Sequence, residues 1–291
     1  MKIYLARQFP NGSAEKCMKI YLAKSGVLQQ AYFTKDNMNI FLAGGEGQLR
    51  AAIQDQKQDL NIYKDANILQ SFYYCNNYTE KVIIPQCKSF MLDSGAFTFR
   101  ELSKKVDWNE YVERYAEFIN RNNVELFFEL DIDNLVGYSN VLILRNKLEK
   151  LTNKQSIPVW HKTRGKDDFL HMCEEYQYVA IGGIAGKNKS SAELKKLHET
   201  FPWLIREAHR RGTRIHGLGY TSLSGLKKYH FDSVDSTAWV SGNQFGAVYR
   251  FTGDSIERVI KQKNQRVKTS ATAINNFVEW KKFATWAEVN L

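Results

Sequence analysis

Several short stretches of this 291-residue chain end an apolar run on a residue able to do chemistry. Phe90-Met91-Leu92 runs into Asp93-Ser94-Gly95, and Val124–Leu130 runs into Asp131, with Asp133 close behind. Ile157–Trp160 ends on His161, Tyr178–Ile181 on Gly182-Gly183, and Arg214-Ile215 on His216-Gly217-Leu218-Gly219. Phe231–Val234 ends on Asp235. A carboxylate can serve as acid, base or nucleophile, and glycines let a flat ligand approach backbone N–H and C=O groups closely. Alone, Asp93 reads as a cap for the turn that follows it. Three carboxylates on one rim reverse that reading, because buried acids are costly unless they are paired or functional.

Those ends converge only if the elements before them are parallel strands. Apolar runs near residues 39–45, 90–93, 124–131, 157–161, 178–183, 214–219, 231–236 and 247–251 read as eight strands. Helical periodicity falls between most of them: Asp107–Asn122, a segment ending near Leu151, Phe169–Glu175, Ser191–Arg211 with a break at Pro202, and Ser222–Tyr229. Residues 46–80 read as helices on the rim. Eight strands alternating with helices predict an α/β fold, an irregular (β/α)8 TIM barrel with N- and C-terminal additions. A doubly wound open sheet competes, but no GxGxxG follows the first strand. The expected organisation is an N-terminal extension (1–38) in which Met1–Ala6 repeats as Met18–Ala23, a catalytic barrel (39–252) and a basic, aromatic C-terminal helical segment (253–291).

Composition narrows the partners. A formal charge of +10 favours a polyanion, most commonly nucleic acid. Arg258, Lys261, Lys263, Arg266 and Lys268 form a basic run suited to phosphate, whereas Phe277, Trp280, Phe283 and Trp286 read as a packing stripe. Cys17, Cys75, Cys87 and Cys173 are scattered with no CxxC pair, and no HxH or HExxH cluster occurs, so no metal is expected. No run approaches the roughly 18 apolar residues of a membrane span, and the expected location is cytoplasmic, with no membrane partner.

The ordered set Asp93-Ser94-Gly95-Ala96-Phe97, a strand ending in Asp131, Gly182-Gly183-Ile184-Ala185-Gly186, Gly217-Leu218-Gly219, then a helix and Asp232-Ser233-Val234-Asp235 resembles the tRNA-guanine transglycosylase superfamily. The resemblance covers roughly residues 90–236. It implies a (β/α)8 barrel that exchanges guanine in a polynucleotide for a 7-deazaguanine, with Asp235 as nucleophile and Asp93 as general acid and base. It further implies that Phe97 and His216 sandwich the base and that Asp131 reads its Watson–Crick edge, or Asp133 if the register shifts by two. Gly182 and Gly183 would contact the base through their backbone, with Ser94 and Gly217 grouped beside them. His161 stands where the family often has glutamine, which leaves its role open. Such chemistry needs no cofactor, since the energy of the cleaved bond is kept in the enzyme ester.

Two departures redirect the substrate. The family's tRNA enzymes bind zinc through Cys-x-Cys-x-x-Cys and a histidine beyond the nucleophile, but here no cysteine follows Cys173. The Pro-Thr-Arg that follows their nucleophile is replaced by Ala238-Trp239-Val240. A barrel without the zinc subdomain resembles the phage and bacterial DNA-modifying branch, which implies DNA as polymer, a preQ0-type base as small substrate and, for a phage protein, the host cytoplasm. The alternatives are exchange in tRNA, with the basic tail replacing the zinc module, and a noncatalytic nucleic-acid-binding partner subunit. A barrel hydrolase acting on a small phosphorylated substrate is the outsider.

Overall fold

The computed structural model describes residues 38–56, 60–95, 98, 106–184, 190–220, 222–240, 247–259 and 268–291, with the backbone of three N-terminal strands. Those strands, β1 (Ile3–Tyr4), β2 (Met18–Leu22) and β3 (Leu28–Tyr32), form an antiparallel sheet. In it the repeated segments pair with each other, Ile3 facing Ile20.

The remaining architecture is a (β/α)8 barrel. Its strands are β4 (Asn39–Ala43), β5 (Asn67–Ser71), β6 (Ser89–Asp93), β7 (Leu126–Phe127), β8 (Val159–Trp160), β9 (Tyr178–Ile181), β10 (Arg214–Gly217) and β11 (Ser233–Ser236). Each pairs in parallel with its neighbour in sequence, and β11 pairs with β4. The ring closes between β7 and β8 through a parallel bridge, Phe128 to Ile157. There the Ile157 N–H donates to Phe127 O at 2.8 Å and the Glu129 N–H to Ile157 O at 3.0 Å.

Alternation along the strands separates inside from outside. Phe41, Ala43, Leu69, Met91, Phe128, Ile157, Val159, Tyr178 and Ala180 form a cluster drawn from strands and strand ends alone, which is the barrel interior. Residues of the opposite parity, such as Ile40, Leu42, Val179 and Ile215, pack with the surrounding helices. Continuing the inward parity by two residues places Asp93 after Met91, His161 after Val159 and Gly182 after Ala180 on the C-terminal rim.

One helix secures that rim. Asp107 caps Trp108–Arg121 by accepting the Asn109 N–H at 2.9 Å, and the helix buries Tyr111, Val112, Tyr115, Phe118 and Ile119. Tyr115 shares its hydroxyl proton between Leu92 O (3.0 Å) and Phe128 O (3.1 Å), while Tyr111 donates to Ser94 O at 2.6 Å. The helix thus ties together the ends of β6 and β7, where Asp93 and Asp131 emerge.

Two expectations for the strands are corrected. The strand β5 lies where rim helices were predicted. Its Asn67 and Gln70 are buried polar residues, 5% and 1% exposed, so Asn-Ile-Leu-Gln-Ser carries neither alternation nor an apolar run. The segment at 247–251 is not the eighth barrel strand. It is β12 (Val248–Phe251), paired antiparallel with β13 (Ile256–Val259) outside the barrel. Both pack on the C-terminal helix Thr269–Asn290, where Asn276 Oδ1 accepts the Tyr249 N–H at 2.9 Å.

The aromatic stripe is packing, as its spacing predicts: Phe277, Trp280 and Phe283 are at most 3% exposed. Phe277 meets Trp239, ring centroids 5.2 Å apart, and Trp239 donates its indole N–H to Ala43 O at 3.0 Å. Trp239 therefore locks the loop after Asp235 to the end of β4. Among the described residues no helix is long and apolar enough to cross a membrane.

The seam between β7 and β8 is short of backbone pairing, and side chains supplement it. Glu129, fully buried, accepts the Val159 N–H at 2.8 Å and pairs with Arg145 at 2.8 Å and Arg164 at 3.4 Å. Glu129→Ala leaves both guanidinium groups buried without this partner and is expected to cost about 3–5 kcal/mol. Urea unfolding checks this, and a loss below ~1 kcal/mol would show the seam to be indifferent to the pair.

Candidate active site

The mouth at the C-terminal ends of the strands gathers Asp93, Asp131, His161, Gly182 and Asp235. Asp93 ends β6, and its Oδ2 accepts the Gly95 N–H at 3.0 Å. Burial pushes its carboxyl up to about 6, the Gly95 hydrogen bond pulls the other way, and the nearby charges of Asp131 and Asp235 raise it further. A carboxyl in that range can give and take a proton near neutral pH. Gly95 has φ +80, and a Cβ there would meet Ser71 Oγ at 2.9 Å, so glycine permits this turn.

Across the seam, Asp131 Oδ1 and His161 Nε2 are 2.6 Å apart, both about 15% exposed (16% and 15%). The imidazole holds one oxygen of Asp131. His161 lies over Gly182, where a Cβ would sit 2.5 Å from its Cε1 and 2.7 Å from Val159 Cγ1. Gly182→Ala is therefore expected to displace the ring, with an overpacking cost of about 1–3 kcal/mol. Thermal unfolding measures the cost; a melting temperature unchanged from wild type would show that the ring moves aside without strain.

Asp133 begins the helical turn Asp133–Val136 and pairs with Arg164 at 3.3 Å, the same arginine that reaches Glu129. The two candidate acids are thus separated by their partners: Asp131 faces His161, and Asp133 belongs to the arginine network. Ligand atoms of Asp131, Asp133 and His161 lie within 4.8 Å of one another, the one such group among the described residues that could hold a cation. Arg164 and His161 already give each of the two carboxylates a side-chain partner.

Asp235 lies on β11, 5% exposed, and its Oδ1 takes two contacts: His216 Nε2 at 3.2 Å and the Gly219 N–H at 2.5 Å. Its sequence neighbour Asp232 serves the opposite end of the strand, accepting the Ile215 N–H at 2.7 Å and pairing with His209 at 2.9 Å.

Several expected base contacts are placed elsewhere. His216 is fully buried, its ring among Phe41, Phe128 and Tyr178 with centroids 6.3, 5.3 and 6.4 Å away. Both its nitrogens are engaged, so it supports Asp235 from the interior instead of offering a face to a base. Inward parity on a parallel strand buries a residue at this depth whatever its chemistry. Gly217 has the outward parity, and a Cβ there would meet Val234 at 3.2 Å and Phe231 at 3.3 Å, so it serves packing. The Ser94 side chain is buried, 1% exposed, and its carbonyl is the acceptor for Tyr111. Gly183 turns the chain away from β9 at φ +71.

Phe97, Lys261, Lys263 and Arg266 lie outside the described residues. Of the remaining basic run, Arg258 is exposed on β13, and Lys268 pairs with Asp55 at 2.7 Å across an exposed surface. The sequence reading missed Glu129, Arg145 and Arg164 at the seam, and Tyr178 and Ser233 beneath Asp235. Ser233 had a legible signal, standing two residues before Asp235 on the same strand and hence on the same face.

These features define a (β/α)8 barrel with an acidic C-terminal mouth. No protein-family model matches the chain, and no curated protein matches it significantly. Among solved structures, it is similar to a protein from Coccidioides immitis assigned as a fructose-1,6-biphosphate aldolase, at 11% identity and TM-score 0.49, covering 87% of this chain and 90% of that one. It is also similar to the carboxyl transferase domain of Rhizobium etli pyruvate carboxylase solved with pyruvate, at 10% identity and TM-score 0.44. That match covers 88% of this chain and 48% of the other.

Proposed function

We propose that this chain is a base-exchange transglycosylase that replaces guanine in DNA with a 7-deazaguanine of the preQ0 type. The observation that carries the reading is the pair of unlike carboxyls on one mouth. Asp93 is pushed up toward neutrality by burial, whereas Asp235 has two polar partners on a single oxygen. An acid and a nucleophile are what a retaining displacement at a sugar carbon requires.

In the first step Asp235 attacks C1′, the C1′–N9 bond breaks, and the departing guanine takes the proton of Asp93. In the second, Asp93 as carboxylate accepts the N9 proton of the incoming 7-deazaguanine, whose nitrogen displaces Asp235 from C1′. Proton and ester both return to their starting state. Asp131 accepts from N1–H and the exocyclic amine of a guanine-like base, steered by His161, which disfavours adenine.

The decisive experiment offers radiolabelled guanine and preQ0 to the full chain with DNA and tRNA in parallel. Label entering DNA supports the proposal, label entering tRNA alone moves the polymer to RNA, and no label in either polymer overturns base exchange.

A further inference from the structure

Beneath Asp235 the interior of the barrel holds a continuous polar chain across three adjacent strands. Tyr178 of β9 contacts Ser233 Oγ of β11 through its hydroxyl, and Ser233 Oγ lies 2.5 Å from Nδ1 of His216 on β10. His216 Nε2 then reaches Asp235 Oδ1 at 3.2 Å. Tyr178 is 7% exposed, Ser233 and His216 are fully buried, and Asp235 is 5% exposed. A polar chain in such a place is costly unless each member is satisfied, so its hydrogens can be counted.

The phenol of Tyr178, kept protonated by burial, has Ser233 as its hydrogen-bond partner and so donates to Ser233 Oγ. Having accepted there, Ser233 directs its own proton to Nδ1 of His216. The ring hydrogen is then on Nε2 and points at Asp235 Oδ1. In the opposite order, with Nδ1–H donating, Ser233 Oγ would accept from both His216 and Tyr178, and its own proton would have no acceptor among the described contacts. Phe41 and Phe128 flank the ring and oppose its rotation.

We propose that Tyr178, Ser233 and His216 are positioning residues that fix the Nε2–H tautomer of His216 and thereby assign the two oxygens of Asp235, Oδ1 as the anchored atom and Oδ2 as the nucleophile. The Gly219 N–H, 2.5 Å from Oδ1, falls on the same oxygen. With both described contacts on Oδ1, the charge of Oδ2 is offered to the mouth with no donor among the described residues to be displaced before attack. The relay moves no proton during turnover; it holds the carboxylate in one rotamer. The kinetic half of this inference rests on Asp235 being the nucleophile, and the tautomer half does not.

The test is nitrogen NMR on the full chain labelled with 15N-histidine, in which six histidines give resolvable ring patterns. The His216 signals are assigned by their loss in His216→Gln. The wild-type ring is expected to carry its hydrogen on Nε2 and none on Nδ1; a hydrogen found on Nδ1 overturns the relay. Ser233→Ala removes the donor to Nδ1 and is expected to lower kcat roughly 10- to 100-fold, with the KM of the incoming base within about twofold. Tyr178→Phe is expected to give a smaller loss in the same direction. Unchanged kcat in a folded Ser233→Ala protein overturns the positioning role. Absence of exchange by the wild-type chain counts against base exchange itself, while the tautomer measurement still decides the relay.

Discussion

Replacing Asp235 with alanine is expected to abolish base exchange, with a loss of about 10⁴-fold or more, because no other group takes over the bond to C1′. The same variant should fail to form the covalent protein–DNA species that the proposed mechanism requires of the wild-type chain when the incoming base is withheld. A denaturing gel separates that adduct from free protein. Alanine leaves the His216 N–H and the Gly219 N–H without their shared acceptor, so its stability must be measured beside its activity. Asp235→Asn retains an acceptor oxygen and serves as the isosteric control. Full exchange by a folded Asp235→Ala protein would transfer the nucleophile's role elsewhere and, with it, the argument from the mouth.

Asp93→Asn is expected to separate activity from stability. As a general acid and base, Asp93 should be worth roughly 10²- to 10⁴-fold in turnover, so the variant should be nearly inactive. Stability should move the other way. The native carboxyl is pushed up from 3.8 to about 6, chiefly by burial. Between those values the native chain holds the proton more tightly than the unfolded chain, so stability falls as pH rises from about 4 to about 6 and stays at the lower level above that. At about 1.4 kcal/mol per unit, keeping this carboxylate ionised costs ~3 kcal/mol above pH 6. Asparagine carries no such charge and can still accept from the Gly95 N–H. The variant should therefore unfold at higher denaturant concentration than wild type above pH 6 and at nearly the same concentration near pH 4. An equal difference at both pH values would mean that burial does not strain Asp93.

That strain bears on how the proposed proton shuttle is built. The helix Trp108–Arg121 holds the strand end that carries Asp93, its Tyr111 and Tyr115 fastening the carbonyls on either side of the acid. Rigid backbone around a costly carboxyl is the usual arrangement where stability is exchanged for reactivity.

Much of this was legible in the chain itself. Apolar runs closing on Asp93, His161, Gly182 and Asp235 were enough to place strand ends, and the alternating helices were enough to predict a parallel barrel. The strand Asn67–Ser71 was not legible, because Asn67 and Gln70 are buried as polar groups and erase the hydrophobic signal. Nor was the change of partner at 247–251, which has strand character but hydrogen-bonds to 256–259 instead of joining β4. Strand propensity is local, whereas the choice of neighbour is settled by which surfaces remain open.

The residue types at the mouth and their order were thus determined by the sequence alone, since side-chain chemistry and the twofold alternation of a strand are written locally. Only the tertiary structure decided what each one touches. It sent His216 inward to Asp235, gave Asp131 to His161 and Asp133 to Arg164, and joined Tyr178 to Ser233 across 55 positions of chain. It also set the proton affinity of Asp93, because desolvation depends on strands and helices far from it in sequence. Those pairings cost loop closure and are repaid only when the ring closes at Phe128 and Ile157, which no local pattern records.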